Sequence, residues 1–339
     1  MSTIRPVVKI RHINFFEGFD DHKCRSHVLM DLCDEFDFVF CDMPDILLVG
    51  CYGQQDIPSG KAVKVGYYTE NLAPDLINFD FFFGCEYSHH IKNPHYCKRV
   101  FGPLQTDILD GCPDPEKEFR QKTRFCNFIY STRVPHRERF FKALSRYRKI
   151  SAPGKSMQNC NDLAGRASED WQEQKIRYLR TFKFTIAFEN SRRVGYATEK
   201  LYDAFRADTI PIYWGDPCID KVVNRDAIVI VDGDWEADVL PFLRLPEKRQ
   251  PFRPYFRDTT FLNRVFGRSN ELIHWVRARL PYTKSFEYAI EQVISLDQDD
   301  DAYVQKLSRP RLKDSVQTIR REYFDFWRKI IRHALNGRS

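Results

Sequence analysis

Short apolar runs, rich in β-branched and aromatic residues, recur along this chain with helix-like stretches between them. That alternation restricts its fold more than any other feature, because it is the pattern of α/β architecture. A first series lies at 7–16, 45–50, 62–68 and 79–84, and a second at 124–130, 182–188, 209–214 and 227–231. Helix-like segments occupy 137–147, 170–182 and 198–207. A polar, proline-containing passage, Gly111-Cys-Pro-Asp-Pro-Glu-Lys-Glu118, separates the two series and reads as an interdomain linker. At 339 residues the chain exceeds one compact core. The expected fold is therefore α/β, with two Rossmann-like domains facing a cleft, at 1–118 and 119–313, and a terminal segment at 314–339. Internal repeats and low-complexity tracts are absent from the sequence.

Composition narrows the function classes. Hydrophobic residues at 42% and charged residues at 29% are ordinary for a globular protein. The 28 Phe and 16 Tyr read first as large aromatic cores and second as stacking platforms for sugars. Ten scattered cysteines favour thiols in a reducing compartment, although their even number leaves disulfides open. Arg5 and Lys9 interrupt the N-terminus, which lacks the apolar stretch of a signal peptide, and no window approaches a membrane span. These features predict a soluble cytoplasmic chain, or a Golgi-lumen one if an anchor precedes it. Residues 301–339 hold ten Lys or Arg against four Asp or Glu and so carry the whole net charge of +6. A cleft built from the balanced remainder does not suit nucleic acid.

The segment 314–335 carries Val316, Ile319, Tyr323, Phe326, Ile330 and Ala334 at spacings of three and four, an amphipathic helix. It reads as a terminal helix packed on one domain or bridging both. The alternative is a basic, aromatic surface around Phe326 and Trp327 that makes peripheral contact with anionic lipid.

The segment that carries chemistry runs from Phe182. A buried strand ends in Glu189 and Asn190, a short loop contains Gly195, and a helix follows that Thr198 is placed to cap. In open α/β sheets ligands sit beyond the carboxyl ends of the strands, at helix N-termini whose free N–H groups suit phosphate. Lys200 falls in the first helical turn, where a cation opposes the helix dipole unless it serves an anion arriving there. Glu199 beside it suits hydroxyl recognition, and the ordinary alternative is that both are solvated first-turn residues.

The order Phe188-Glu-Asn190, Gly195-Tyr-Ala-Thr-Glu-Lys-Leu-Tyr-Asp-Ala-Phe205 and Thr209-Ile-Pro-Ile-Tyr-Trp-Gly-Asp-Pro217 resembles the α1,3-fucosyltransferases of glycosyltransferase family 10. Weaker resemblance reaches upstream through Phe125–Ser131, Arg137 and Tyr68-Thr-Glu-Asn71. The resemblance implies a GT-B fold and GDP-L-fucose as donor, with inversion at the fucose anomeric carbon. It implies that Arg137 and Lys200 neutralise the diphosphate, and that Glu189, Asn190, Tyr196 and Glu199 lie on the donor side. No cofactor is expected, and a divalent metal is at most stimulatory. The implied acceptor is an N-acetyllactosamine-like or O-antigen-like glycan, with α1,3 or α1,4 Lewis-type products. A different donor or acceptor on the same fold, or an idle glycan-binding homologue, are the rival readings.

Single displacement needs a carboxylate to take the acceptor's proton. Glu70, just past the apolar run at 62–68, is the chosen base, and Glu189 is the runner-up. Three patterns compete for attention. Asp232-Gly-Asp234 copies a metal-binding Asp-x-Asp but reads equally as a turn. Cys85, His89, His90, His95 and Cys97 lie close together in a spacing unlike a standard zinc site. Gly154-Lys-Ser156 imitates the end of a P-loop yet lacks its first glycine, and reads as a flexible loop near the donor.

Overall fold

The structure, a computed structural model, describes residues 4–99, 110–163, 171–233 and 284–337. Two parallel sheets organise it. The first contains β1 (Val7–Ile13), β2 (Asp37–Phe40), β3 (Ile46–Val49), β4 (Val63–Tyr67), β5 (Phe81–Gly84) and β6 (Tyr96–Lys98), in the order β2-β1-β3-β4-β5-β6. The second contains β7 (Arg124–Asn127), β8 (Ile150–Ser151), β9 (Phe182–Phe188), β10 (Ile210–Trp214) and β11 (Val229–Ile230), in the order β11-β10-β9-β7-β8. Both sheets reverse strand order next to their first strand, between β1 and β3 and between β7 and β9. Each reversal opens a crevice beyond the carboxyl ends of the strands. This is the two-sheet α/β arrangement of the GT-B fold.

Helices cover the sheets. They are α1 (Asp21–Lys23), α2 (Ser88–Ile91), α3 (Pro115–Arg120), α4 (Pro135–Leu144), α5 (Trp171–Arg180) and α6 (Glu199–Arg206). Three more follow: α7 (Lys284–Gln298), α8 (Asp300–Leu307) and α9 (Val316–Asn336). The side chains of β9 and β10 divide by the two-residue period of a strand. Phe184, Ile186, Phe188, Ile210, Ile212 and Trp214 enter one core with α4, α7 and α8. Ala187 and Tyr213 face the other way, into a core with Leu201, Tyr202 and Phe205 of α6. Burial on both faces explains why these runs are mostly apolar rather than strictly alternating, with Lys183 and Thr185 the polar exceptions in β9.

The C-terminal helix α9 crosses the molecule. Val316 at its start packs with Leu312 and Val223 beside the second sheet. Tyr323, Phe324, Trp327, Ile330, Ile331 and Ala334 then form one face buried against Val8, Val65, Phe81 and Phe83 of the first sheet. Trp327 is fully buried and stacks on Phe83 at 5.0 Å. The helix thus packs as the first of the two sequence readings had it, bridging both halves, and the alternative lipid-contact surface loses Trp327 to the N-terminal core. On the polar side, Arg320 pairs with Asp31 and Arg328 with Glu35.

Three strands escaped the sequence reading, β2, β6 and β8, each at a sheet edge, where strands are short and half-polar. The passage expected as a linker ends in α3, which Asp114 caps by accepting from Lys117 N at 3.0 Å. Pro115 occupies the first turn, where its missing N–H costs nothing. All ten cysteines are free thiols in this structure. No described helix is long and apolar enough to cross a membrane.

Candidate active site

The second sheet's reversal point gathers the residues expected on the donor side. Helix α4 follows β7 and carries Arg137, whose guanidinium is buried. Its Nε and Nη2 donate to the carbonyl of Phe188, the last residue of β9, at 3.1 and 2.8 Å. Nη2 also donates to Asn190 Oδ1 at 2.6 Å, and the group lies 4.1 Å above the Tyr130 ring. Among the described residues Nη1 has no partner, which leaves one face of the cation for a ligand. Burial pulls the Arg137 pKa below its ordinary value, yet arginine remains charged. Asn190 is exposed and Arg137 orients its amide.

Between β9 and α6 the chain turns through Gly195, at φ +81°. A Cβ there would stand 2.3 Å from the carbonyl oxygen of Cys85, so glycine is required by conformation and by space. Thr198 occupies the N-cap of α6 but does not cap it with its side chain. Its hydroxyl donates instead to Glu189 Oε2 at 2.7 Å, while its backbone N–H donates to Glu189 Oε1 at 2.7 Å. Glu189 therefore does the capping from below, and Lys200 Nζ completes the cluster 3.3 Å from Glu189 Oε2.

This arrangement corrects two expectations. Glu189 is fully buried with both oxygens engaged, so it neither faces the donor nor serves as the alternative base. Lys200 is no lone cation against the helix dipole: its Nζ also donates to Thr198 Oγ1 at 2.8 Å and to Glu199 Oε1 at 3.2 Å. Burial lowers the Lys200 pKa, but Glu189 and Glu199 outweigh it and hold the ammonium above its ordinary value. Glu199, half-exposed, is held down at about 2, its burial opposed by Lys200 and Lys175.

The N-terminal half supplies the facing carboxylate. Glu70 follows β4 and is partly buried. Its Oε1 accepts from Tyr52 OH at 2.9 Å, and its Oε2 lies 3.4 Å from Tyr196 OH of the second half. Tyr52 OH also meets Thr69 Oγ1 at 2.7 Å, which fixes its direction. Beside Glu70, Asn71 Nδ2 donates to Ser191 Oγ at 2.5 Å. Further contacts join the halves. Lys98 Nζ donates to the carbonyls of Cys85 and Gly195, at 2.6 and 2.5 Å, and Tyr87 OH donates to Asp216 at 2.6 Å. Glu86 pairs with Arg193.

The competing patterns resolve differently. Among the described residues no three His, Cys, Asp or Glu could hold a metal ion. Lys221 Nζ sits 2.9 Å from Nε2 of both His89 and His90, whereas His95 Nδ1 meets the Asp80 carbonyl. Asp232 pairs with Arg225 at 2.8 Å, and Asp234 lies outside the described residues. The loop at 154–156, expected to be flexible, is pinned beneath α4. Ser156 is buried and donates to Glu138 Oε1 at 3.0 Å, and its N–H donates to the Tyr130 carbonyl.

Comparison with known proteins gives this geometry a family. Residues 119–265 match the glycosyltransferase family 10 (fucosyltransferase) C-terminal region. A protein of Acanthamoeba polyphaga mimivirus named for a fucosyltransferase is 37% identical over 154 residues, which is 44% of this chain and 26% of that protein. The alpha-(1,3)-fucosyltransferase FucT of Helicobacter pylori is 31% identical over 142 residues, 42% of this chain and 27% of that enzyme. The chain thus matches about a quarter of the length of these relatives. A crystal structure of an alpha1,3-fucosyltransferase with GDP-fucose shares the fold, with a TM-score of 0.63 at 18% identity, covering 98% of this chain and 92% of that one.

Within this chain, Arg137, Asn190, Tyr196, Glu199 and Lys200 gather at the β7–β9 reversal, and Glu70 faces them from the other sheet. Tyr52 and Lys98 were missed by sequence reasoning. Tyr52 comes three residues after β3 and could have been suspected from its place at a strand's carboxyl end. Lys98 gave no such signal, since only the folded chain brings it to Gly195.

Proposed function

We propose that the protein transfers L-fucose from GDP-β-L-fucose to a hydroxyl of an N-acetylglucosamine-containing glycan, with inversion at the anomeric carbon. The observation that carries this reading is the facing of Glu70 and Tyr196 across a cleft whose second wall holds Arg137 and Lys200. The family match, and a relative's structure with GDP-fucose on the same fold, support the choice of donor.

In this reading Glu70 takes the acceptor hydroxyl's proton as that oxygen attacks the anomeric carbon. The bond from that carbon to the diphosphate oxygen breaks, and the departing electron pair becomes negative charge on GDP. Arg137, through its spare Nη1, and Lys200 stabilise that charge where it develops. Lys200 has three protons and three partners, so the diphosphate displaces the exposed one, Glu199. The freed carboxylate then accepts from a ribose or sugar hydroxyl. Two side-chain cations meet the diphosphate, and the reading requires no metal ion. The N-terminal half would present the acceptor, which makes its loops the seat of acceptor choice.

The test incubates the purified protein with GDP-fucose and N-acetyllactosamine or a type 1 disaccharide and follows GDP release, with NMR of the product's anomeric centre. The reading expects an α-linked fucose at the 3- or 4-hydroxyl of N-acetylglucosamine. Absence of GDP release with every acceptor would sink it, and a β-linked product would contradict inversion.

A further inference from the structure

The first sheet also has a reversal point, between β1 and β3, and the residues just beyond it form an aromatic ledge next to Glu70. Phe16 is 44% exposed and is the only exposed phenylalanine among the described residues. A single exposed apolar side chain needs no explanation by itself, but this one is built into a platform. Its ring meets Phe19 edge-on at 5.3 Å and Tyr52 at 6.1 Å and 90°. Tyr52 in turn donates to Glu70 Oε1.

The platform is rigid. Asn14 adopts the left-handed conformation at φ +60°, and its side chain grips the loop after β3: Nδ2 donates to the Gln55 carbonyl at 2.9 Å, and Oδ1 accepts from Gln55 N at 2.9 Å. A Cβ on Gly53 would fall 2.2 Å from Asn14 Oδ1, so the two loops are in full contact. The turn bearing Phe16 closes through Phe19 N to the Phe16 carbonyl at 3.1 Å, with Gly18 at φ +77°. Gln54 and Gln55, on the loop that Asn14 grips, are exposed and carry amide side chains.

We propose that Phe16, with the edge of Tyr52 and the amides of Gln54 and Gln55, is the acceptor-sugar subsite: the apolar C–H face of a pyranose stacks on Phe16 while its hydroxyl reaches Glu70. The chemistry fits because a pyranose offers one apolar face and a rim of hydroxyls, which an exposed ring next to an amide-bearing loop complements. Because the ledge is already ordered, stacking on it spends little conformational entropy. The inference rests on the fucosyl-transfer reading and specifies its acceptor side.

The experiment measures the KM for N-acetyllactosamine and the calorimetric affinity for GDP in wild type, Phe16→Ala and Phe16→Tyr. Phe16→Ala is expected to raise the acceptor KM by about fivefold or more, a loss of roughly 1 kcal/mol, with GDP affinity and melting temperature unchanged. Phe16→Tyr keeps the ring and should stay within twofold of wild type. An unchanged acceptor KM in Phe16→Ala, in a wild type that does transfer fucose, overturns the subsite alone. Equal loss of GDP affinity also overturns it, by assigning Phe16 to folding or to the donor. A wild type that binds GDP yet transfers to no acceptor overturns both the subsite and the reading beneath it.

Discussion

Tyr196 reaches across the cleft to Glu70: its hydroxyl, carried by the loop before α6, lies 3.4 Å from a carboxylate that follows β4 of the other sheet. Donor loop and proposed base therefore share one contact, and what holds that loop also holds the geometry of transfer. Lys98, by donating to the Gly195 carbonyl, holds it from the N-terminal side, and Glu189 from beneath.

The Glu189–Lys200 pair separates stability from donor binding. Lys200→Met leaves a buried carboxylate without its cation, which costs roughly 3–5 kcal/mol. Adding Glu189→Gln should restore much of that loss, because an amide still accepts from Thr198 and carries no charge. Donor affinity should stay low in both variants. Urea unfolding and GDP calorimetry check this; recovery of GDP affinity in the double variant would mean that Lys200 serves the fold and not the diphosphate.

Gly195→Ala combines an unfavourable φ with a collision against the Cys85 carbonyl. The backbone penalty alone is about 1–3 kcal/mol, and the loop must shift away from the N-terminal half. A lower melting temperature together with a drop in kcat of tenfold or more is expected. A variant matching wild type in both would show that the loop does not depend on this close approach.

Lys98 gives a pH signature. Burial brings its pKa down to about 8 from the usual 10.5, so between those values the unfolded chain binds a proton that the folded chain has released. Stability then rises with pH across that window, since unfolding must take up the proton. Below pH 8 both states are protonated and the contribution is flat. Wild type should gain stability relative to Lys98→Met as pH rises from 8 towards 10, in urea titrations at each pH. Parallel curves would contradict the burial of a charged ammonium at this position.

Helix α9 is a structural strut. Trp327→Ala removes a fully buried indole from the first sheet's core and should cost about 3–5 kcal/mol. Arg321→Ala, on the polar side, should leave stability within about 0.5 kcal/mol. Chemical unfolding distinguishes the two, and equal effects would place the apolar face elsewhere.

Much of this was legible in the linear chain, for identifiable reasons. β9 was read to its observed ends because an interior parallel strand is apolar over most of its length, from Phe182 to Phe188. The gathering of Asn190, Tyr196, Glu199 and Lys200 was legible because they fall within a dozen residues around one strand end and one helix start. Glu189 was misread because a Glu-Asn pair at a strand end looks exposed at both positions; only the fold shows one tucked beneath α6 and the other in the cleft. The aromatic face of α9 was ambiguous for the same reason, since amphipathicity fixes a face and not its partner. Tyr52 and Lys98 act across 18 and 97 residues of sequence, on Glu70 and Gly195, distances no local pattern spans.

The central claim is that Glu70 takes the acceptor's proton from the wall opposite the donor. Pre-steady-state turnover and GDP-fucose binding in Glu70→Gln test it most directly. The account predicts donor affinity within about twofold of wild type and transfer slowed by roughly 10²–10⁴-fold. A variant that binds donor normally and transfers fucose at the wild-type rate would contradict it.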